Sequence, residues 1–242
     1  MMKQRPYAQK LPQFIKYAIE STEALCAVHD QGQIHNDLRP SAFVPDIDGR
    51  LTLPLMEIPR DLASIEYLYY TSPEQAGRLP NIDARSNLYS LGVIFYEKLA
   101  DQLPFPIDDP LDLTYHHIAI SPQPASQLNP VIPAALSDLI QKLLAKSPDA
   151  RYATCAGLLS DLYKCQAQLS QSETIEAFEL GLIDRDLQFC IPDKLYGREK
   201  EIALLEEIYD RAVKGEIVLC MVGGYSGIGK SVCREQINCP GL

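Results

Sequence analysis

The sequence predicts a mainly helical domain that gives way, near its end, to the start of an α/β domain. Three observations carry this. Apolar residues recur at helical spacing over Phe14–His29, a second stretch at Asn87–Leu99 is apolar on nearly every side, and the run Ile217–Val222 feeds a glycine-rich turn ending in Lys230-Ser231. A one-faced helix needs a core to lie on, and an all-round apolar helix belongs in the middle of that core. A short continuous apolar run bounded by turn residues reads as a buried strand.

Phe14, Ile15, Ala18, Ile19, Thr22, Leu25 and Cys26 put one apolar stripe on the first helix. Asp30-Gln31-Gly32 ends it, because glycine accepts the positive φ of a helix end. From Ile34 to Leu55 short apolar pieces are broken by Pro40, Pro45, Asp48-Gly49 and Pro54, and residues 42–44 and 51–53 read as a small hairpin around Asp48-Gly49. Residues 56–85 are turn-rich. Leu88, Leu91, Val93, Ile94, Phe95, Tyr96 and Leu99 then define the buried helix. Further helices are predicted over about 110–119, about 133–146 behind Pro133, and about 154–166. The polar stretch 167–194, with its Gln and Ser residues, reads as a linker, so the domains are expected at 1–166 and 195–242. In the second, Ile202, Leu205, Ile208, Tyr209 and Ala212 form a helix ahead of the strand, and Glu206, Glu207 and Asp210 are its solvated face.

Composition narrows the function classes. The 242 residues carry 22 Lys and Arg against 32 Asp and Glu, a net charge of −10, with 46% hydrophobic and 22% charged residues. That is enough apolar material for a core and too little charge for disorder. The acidic balance argues against a nucleic-acid partner, since phosphate backbones select clustered Lys and Arg. No apolar run approaches the roughly 20 residues of a membrane span. Met1–Pro6 has no apolar segment behind its basic residues, so a secretory leader is not expected and a cytoplasmic location is. The seven cysteines, Cys26, Cys155, Cys165, Cys190, Cys220, Cys233 and Cys239, make no C-x-x-C pair and are odd in number, which fits reduced thiols.

Gly224-Tyr225-Ser226-Gly227-Ile228-Gly229-Lys230-Ser231 fits the P-loop pattern G-x-x-x-x-G-K-[ST] directly behind the predicted strand. Gly224, Gly227 and Gly229 let backbone N–H groups converge on phosphate oxygens without Cβ clashes. Lys230 brings a point charge to the outer phosphates, and Ser231, opening the next helix, can ligate Mg²⁺. ATP and Mg²⁺ are therefore expected here, in the N-terminal part of a P-loop ATPase domain. Hydrolysis is not expected, because the only acid after Ser231 is Glu235 and no Walker-B carboxylate follows.

A second constellation lies upstream: His35-Asn36-Asp37-Leu38-Arg39-Pro40, then Ser72-Pro73-Glu74, then Asp83–Gly92, then Pro148-Asp149-Ala150-Arg151. In this order and spacing it resembles the C-terminal lobe of a eukaryotic-type Ser/Thr protein kinase, over roughly residues 10–166. Tyr70–Arg78 and the later Lys194–Glu199 before the P-loop look like large bacterial signalling proteins in which the kinase domain precedes an AAA-type ATPase module, as in multidomain sensor kinases. The fold expected is thus a kinase-like C-lobe followed by the start of a P-loop domain. No glycine-rich strand pair and no V-A-I-K lysine precede the lobe, so the resemblance implies a fragment without its N-terminal lobe.

The resemblance also assigns roles. Asp37 matches the base that accepts the substrate hydroxyl proton, and Arg39 stands where the family usually has a lysine near the γ-phosphate. The metal-binding Asn and the D-F-G Asp fall on Ala42 and Leu55, so both expected Mg²⁺ ligands are apolar. Asn36 replaces the arginine that reads a phosphorylated activation loop. Glu74 and Arg151 are expected to form a structural, partly buried ion pair. Tyr67, Tyr69 and Tyr70 are expected to pack the end of the activation segment, and His29, His116 and His117 to sit at the surface or cap helices. Three readings stay open: a Ser/Thr kinase–ATPase signalling enzyme; a kinase-like lobe that has lost catalysis and binds or regulates protein; and a nucleotide switch in which the P-loop dominates. Nucleotide and a protein substrate or partner are implied in each.

Overall fold

In a computed structural model of the chain the described residues are 5–55, 64–77, 82–172 and 174–187, with Leu204, Arg211 and Lys214 besides. The chain divides into two compact units, residues 1–188 and 189–242. Gly224, Gly227, Gly229, Lys230 and Ser231, with the strand and helix expected before them, lie outside the described residues.

Helix α1 (Arg5–His29) begins well before Phe14 and runs through Pro12. Pro12 removes one helical N–H, yet Leu11, Phe14, Ile15, Ala18 and Leu25 are all buried, and this packing outweighs the local cost. The helix stops as expected: Gly32 takes a φ of +69° and its N–H donates to the His29 carbonyl at 2.8 Å. The hairpin is shorter than predicted, with β1 (Val44–Pro45) antiparallel to β2 (Leu51–Thr52) and Val44 opposite Thr52. Its turn is fixed by Asp46, whose Oδ1 accepts the N–H groups of Asp48 and Arg50 at 2.9 Å each.

Two short helices follow, α2 (Ile65–Leu68) and α3 (Pro73–Ala76), the second opened by a reciprocal capping box between Ser72 and Gln75. Then comes α4 (Ala84–Ala100), started by the Asp83 carboxylate on the Arg85 N–H and ended by Asp101 in the left-handed region at φ 57°. Leu88, Tyr89, Leu91, Val93, Ile94, Phe95 and Leu99 are all fully buried, so α4 is the axis of the domain. After it come α5 (Pro110–Ala119), α6 (Ala125–Leu128), α7 (Ala134–Leu143) and α8 (Cys155–Ser172). α1 packs on α8 and α4, and α4 packs on α7 and α6. Phe14 meets Phe95 edge to face at 5.8 Å. Gly92 lets α4 approach α7, because a Cβ there would stand 2.7 Å from the Leu143 Cβ.

The linker expected from residue 167 is not what residues 167–187 form. α8 continues to Ser172, Ile175 is buried, and a last helix, α9 (Leu182–Leu187), packs back on α8. The anchor is Asp184, only 5% exposed. Its carboxylate accepts the Ala153 N–H at 2.7 Å, the Thr154 N–H at 3.1 Å and the Thr154 hydroxyl at 2.6 Å. Thr154 in turn accepts the Gly157 N–H at 3.1 Å, so Asp184 secures the cap of α8 from a distant part of the chain. Gly157 makes room for it, since a Cβ there would fall 2.3 Å from the carboxylate. Asp184→Ala is expected to cost about 1–2 kcal/mol in urea unfolding. Gly157→Ala should do the same by displacing that carboxylate, and a neutral result for both would show that 174–187 contributes nothing to the domain.

Candidate functional site

The site predicted at 35–42 is held by the buried end of α4. Asn87 accepts the His35 N–H on Oδ1 at 2.9 Å and donates from Nδ2 to the His35 carbonyl at 2.6 Å. This two-point grip fixes both the amide orientation of Asn87 and the backbone of the loop. The His35 ring is buried and bonded on both nitrogens: Nε2 donates to the Pro54 carbonyl at 3.3 Å, so Nδ1 is left to accept the Asp37 N–H at 3.3 Å. Burial lowers the His35 pKa against the opposing pull of Pro54 and Asp37, which agrees with a neutral ring.

Asp37 is 7% exposed, and Arg39 Nη2 sits 3.0 Å from its carboxylate. The same guanidinium reaches Glu66 at 3.8 Å. Pro40–Ala42 forms a single 3₁₀ turn that buries Ala42, while Leu55, beyond the hairpin, is largely exposed. This donor set does not fit Mg²⁺. The ion requires oxygen ligands, the two positions expected to supply them carry hydrocarbon, and the one carboxylate of the loop is paired with Arg39. Among the described residues no group of three or more His, Cys, Asp or Glu side chains converges in a way that would hold a metal ion.

Beside Arg39 lies an open groove between Arg39, Ser41, Glu66, Tyr69, Tyr70 and Glu97. The three tyrosines expected to pack this region are half-buried, and acids orient two of them: Tyr70 donates to Glu97 at 2.8 Å and Tyr69 to Asp108 at 3.1 Å. Tyr67 has its pKa raised by burial and then by the charge of Asp37.

Glu74 and Arg151 meet in the interior. Arg151 donates from Nη1 to Oε1 at 2.7 Å and from Nη2 to Oε2 at 2.9 Å, a bidentate pair with side chains 0% and 5% exposed. Ser86 donates to the same Glu74 oxygen at 2.6 Å. Burial alone would raise the Glu74 pKa, but the bonds from Arg151 and Ser86 outweigh it and hold the carboxyl below its ordinary range.

Sequence reasoning missed three polar contributors. His29, expected at the surface, is half-buried and touches Asn87 Oδ1 through Nε2 at 3.1 Å. His117, expected there too, is 1% exposed, with Tyr89 on its Nδ1 at 3.0 Å, and burial followed by the charges of Lys146 and His116 pushes its pKa down to about 3. Lys146 pairs with no carboxylate among the described residues: its ammonium donates to the His116 and His117 carbonyls at 3.0 and 2.8 Å and to Tyr89 at 3.3 Å, and burial and then Arg151 lower its pKa to about 8. Nothing in the spacing of these residues signals such partners.

The protein kinase domain family matches residues 3–163. The chain belongs to the protein kinase family. Hybrid signal transduction histidine kinase G of Dictyostelium discoideum is 36% identical to it over 189 residues, covering 69% of this chain and 6% of that protein. Peroxide stress-activated histidine kinase mak3 of Schizosaccharomyces pombe is 27% identical over 216 residues, covering 81% and 9%. Serine/threonine-protein kinase PknB of Mycobacterium leprae is 34% identical over 162 residues, covering 63% and 26%. The chain thus spans between 6% and 26% of the length of these relatives. No helix among its described residues is long and apolar enough to cross a membrane.

In this kinase-family domain, Glu74→Gln should cost about 3–5 kcal/mol, because it leaves the Arg151 charge buried and unpaired. Glu74 has its folded pKa lowered, so its contribution is fully present above the ordinary value of 4.5 and is lost as pH falls below that. Urea midpoints of the wild type are therefore expected to fall faster than those of Glu74→Gln on acidification from pH 5 to about pH 3. Parallel pH dependences would remove Glu74 from this role.

Proposed function

We propose that the chain is the kinase-family part of a multidomain signalling protein, and that its described lobe works by engaging protein rather than by transferring phosphate. The observation that carries this is the donor set: Ala42 and Leu55 offer no ligand atom where the family's metal ligands are expected, and Asp37 is neutralised by Arg39 at 3.0 Å. Phosphoryl transfer depends on positioning and on neutralising charge, and a site without metal ligands supplies neither. The groove beside Arg39 is what such a lobe retains. Its exposed acid, Glu66, and its tyrosine edges suit a peptide segment carrying basic side chains. ATP and Mg²⁺ are then assigned to the P-loop, with Lys230 and Ser231 as the binding residues and Gly224, Gly227 and Gly229 forming the cradle.

A second reading keeps the enzyme. Asp37 is buried, its N–H is bonded to His35 Nδ1, and a cation lies two residues on; this favours a Ser/Thr phosphotransferase using ATP and Mg²⁺ with Asp37 and Arg39 in the site. The two readings separate in one experiment. Mg²⁺–ATP is expected to raise the Tm of the chain, the shift surviving Asp37→Ala and vanishing in Lys230→Ala. No phosphate should pass to a basic protein substrate. A shift lost in Asp37→Ala, or phosphate transfer that needs Asp37, would restore the enzyme.

A further inference from the structure

Helix α5 is apolar on two opposite faces. Leu113 and His117 turn inward and are buried, and the helix packs against α2 and α3. Leu111, Tyr115 and Ile118, spaced by four and three residues, share the outer face and are 82%, 56% and 42% exposed. A surface helix ordinarily turns polar residues to solvent, so a contiguous stripe of three large apolar side chains marks an interaction surface. The stripe is also prepared for burial. On its flank, the Thr114 hydroxyl donates to the Pro110 carbonyl at 2.7 Å, so covering Thr114 strands no donor. His116, held through Nδ1 on the Asp112 carbonyl at 2.8 Å, sets the Tyr115 ring edge-on at 5.8 Å.

We propose that the outer face of α5 binds the same face of a second copy of this chain, with the two helices antiparallel about a two-fold axis beside Tyr115. In that arrangement the stripe is its own complement. At 1.5 Å per residue, Leu111 lies about 6 Å before Tyr115 along the helix and Ile118 about 4.5 Å after it. Tyr115 therefore meets its counterpart in the second copy, and Leu111 of each copy meets Ile118 of the other. A two-fold contact requires this kind of self-matching patch.

Charge selects the direction. Asp108 and Asp109 stand just ahead of α5 and Asp112 lies in its first turn, while the Lys146 ammonium sits on the His116 and His117 carbonyls near its end. A parallel pair would set the three carboxylates of each copy side by side, in a chain that already carries a net charge of −10. The antiparallel pair moves them about 15 Å apart, beyond the screening length of about 8–10 Å, and toward the Lys146 end of the other copy. A ten-residue helix covers less than the roughly 800 Å² that each partner buries in a stable interface, so association is expected at about 10–100 µM. The interface adjoins the groove, since Asp108 accepts the Tyr69 hydroxyl at 3.1 Å, yet it does not depend on what the groove binds.

The test uses the intact chain in sedimentation velocity from about 5 to 500 µM. The weight-average mass is expected to climb from one chain toward two, and Leu111→Glu should raise the dimer Kd at least about tenfold. The Tm of that variant should stay within about 2 °C of the wild type, because the side chain it replaces is exposed. The geometry is read separately. Tyr115→Cys, oxidised with copper–phenanthroline and mapped without reduction, should give a peptide joining position 115 of one copy to position 115 of the other. A mixture of Leu111→Cys and Ile118→Cys chains should join 111 to 118. A wild type that stays monomeric throughout, a dimer unchanged in Leu111→Glu, or links that bypass position 115 would each overturn the proposal. The wild-type sedimentation and the link map decide it even if Leu111→Glu fails to fold.

Discussion

Arg151 has five N–H donors and the fold uses them all. Two bind Glu74, one the Arg85 carbonyl at 2.9 Å, one the Ala145 carbonyl at 2.8 Å and one the Lys146 carbonyl at 3.1 Å. A single buried cation thereby joins α3, the first turn of α4 and the chain that leaves α7. Its face also lies 4.9 Å from the centre of the Tyr89 ring. Taking a guanidinium and a carboxylate out of water is costly, and only a fully satisfied arrangement offsets that cost. The rest of the polar interior follows from it. Beside it, the Lys146 ammonium is held by backbone carbonyls and aromatic faces, including Phe105 at 4.9 Å.

The loop at 35–42 shows the same rule working in the other direction. Its backbone is rigidly organised: His35 is bonded on its N–H, its carbonyl and both ring nitrogens. What that scaffold presents is a carboxylate already paired with a neighbouring cation. The framework that would orient a reacting group is in place, while the two positions expected to supply metal ligands, Ala42 and Leu55, carry hydrocarbon side chains.

How much of this was legible in the sequence depended on the range of the interaction. α4 was readable because nearly every side of it is apolar. The Glu74 and Arg151 positions were readable only through the family pattern, since nothing in a separation of 77 residues encodes a contact. The start of α1 was not readable, because Pro12 argues against a helix that burial of Leu11 nevertheless sustains. His29 looked like a surface residue because its partners, Asn87 and Cys155, come from two other helices. In the candidate site the identities of Asp37, Arg39, Ala42 and Leu55 could be read directly. The pairing of Asp37 with Arg39 and the tautomer of His35 could not, because each depends on where backbone carbonyls fall.

The segment 174–187 extends this point. Asp161, 1% exposed, accepts the Tyr152 hydroxyl at 2.9 Å and the Gly181 N–H at 2.6 Å, while Asp184 secures the start of α8. The family pattern ends at residue 163, after Tyr152 and Asp161 but before Gly181 and Asp184. A gene segment copied to that boundary would keep Asp161 and the Ala153 and Thr154 N–H donors and lose the Gly181 N–H and the Asp184 carboxylate that pair with them. The portable unit, the piece that recombination can move between proteins and still have it fold, therefore reaches to about residue 187. A domain's ancestry and its physical edge need not fall at the same residue.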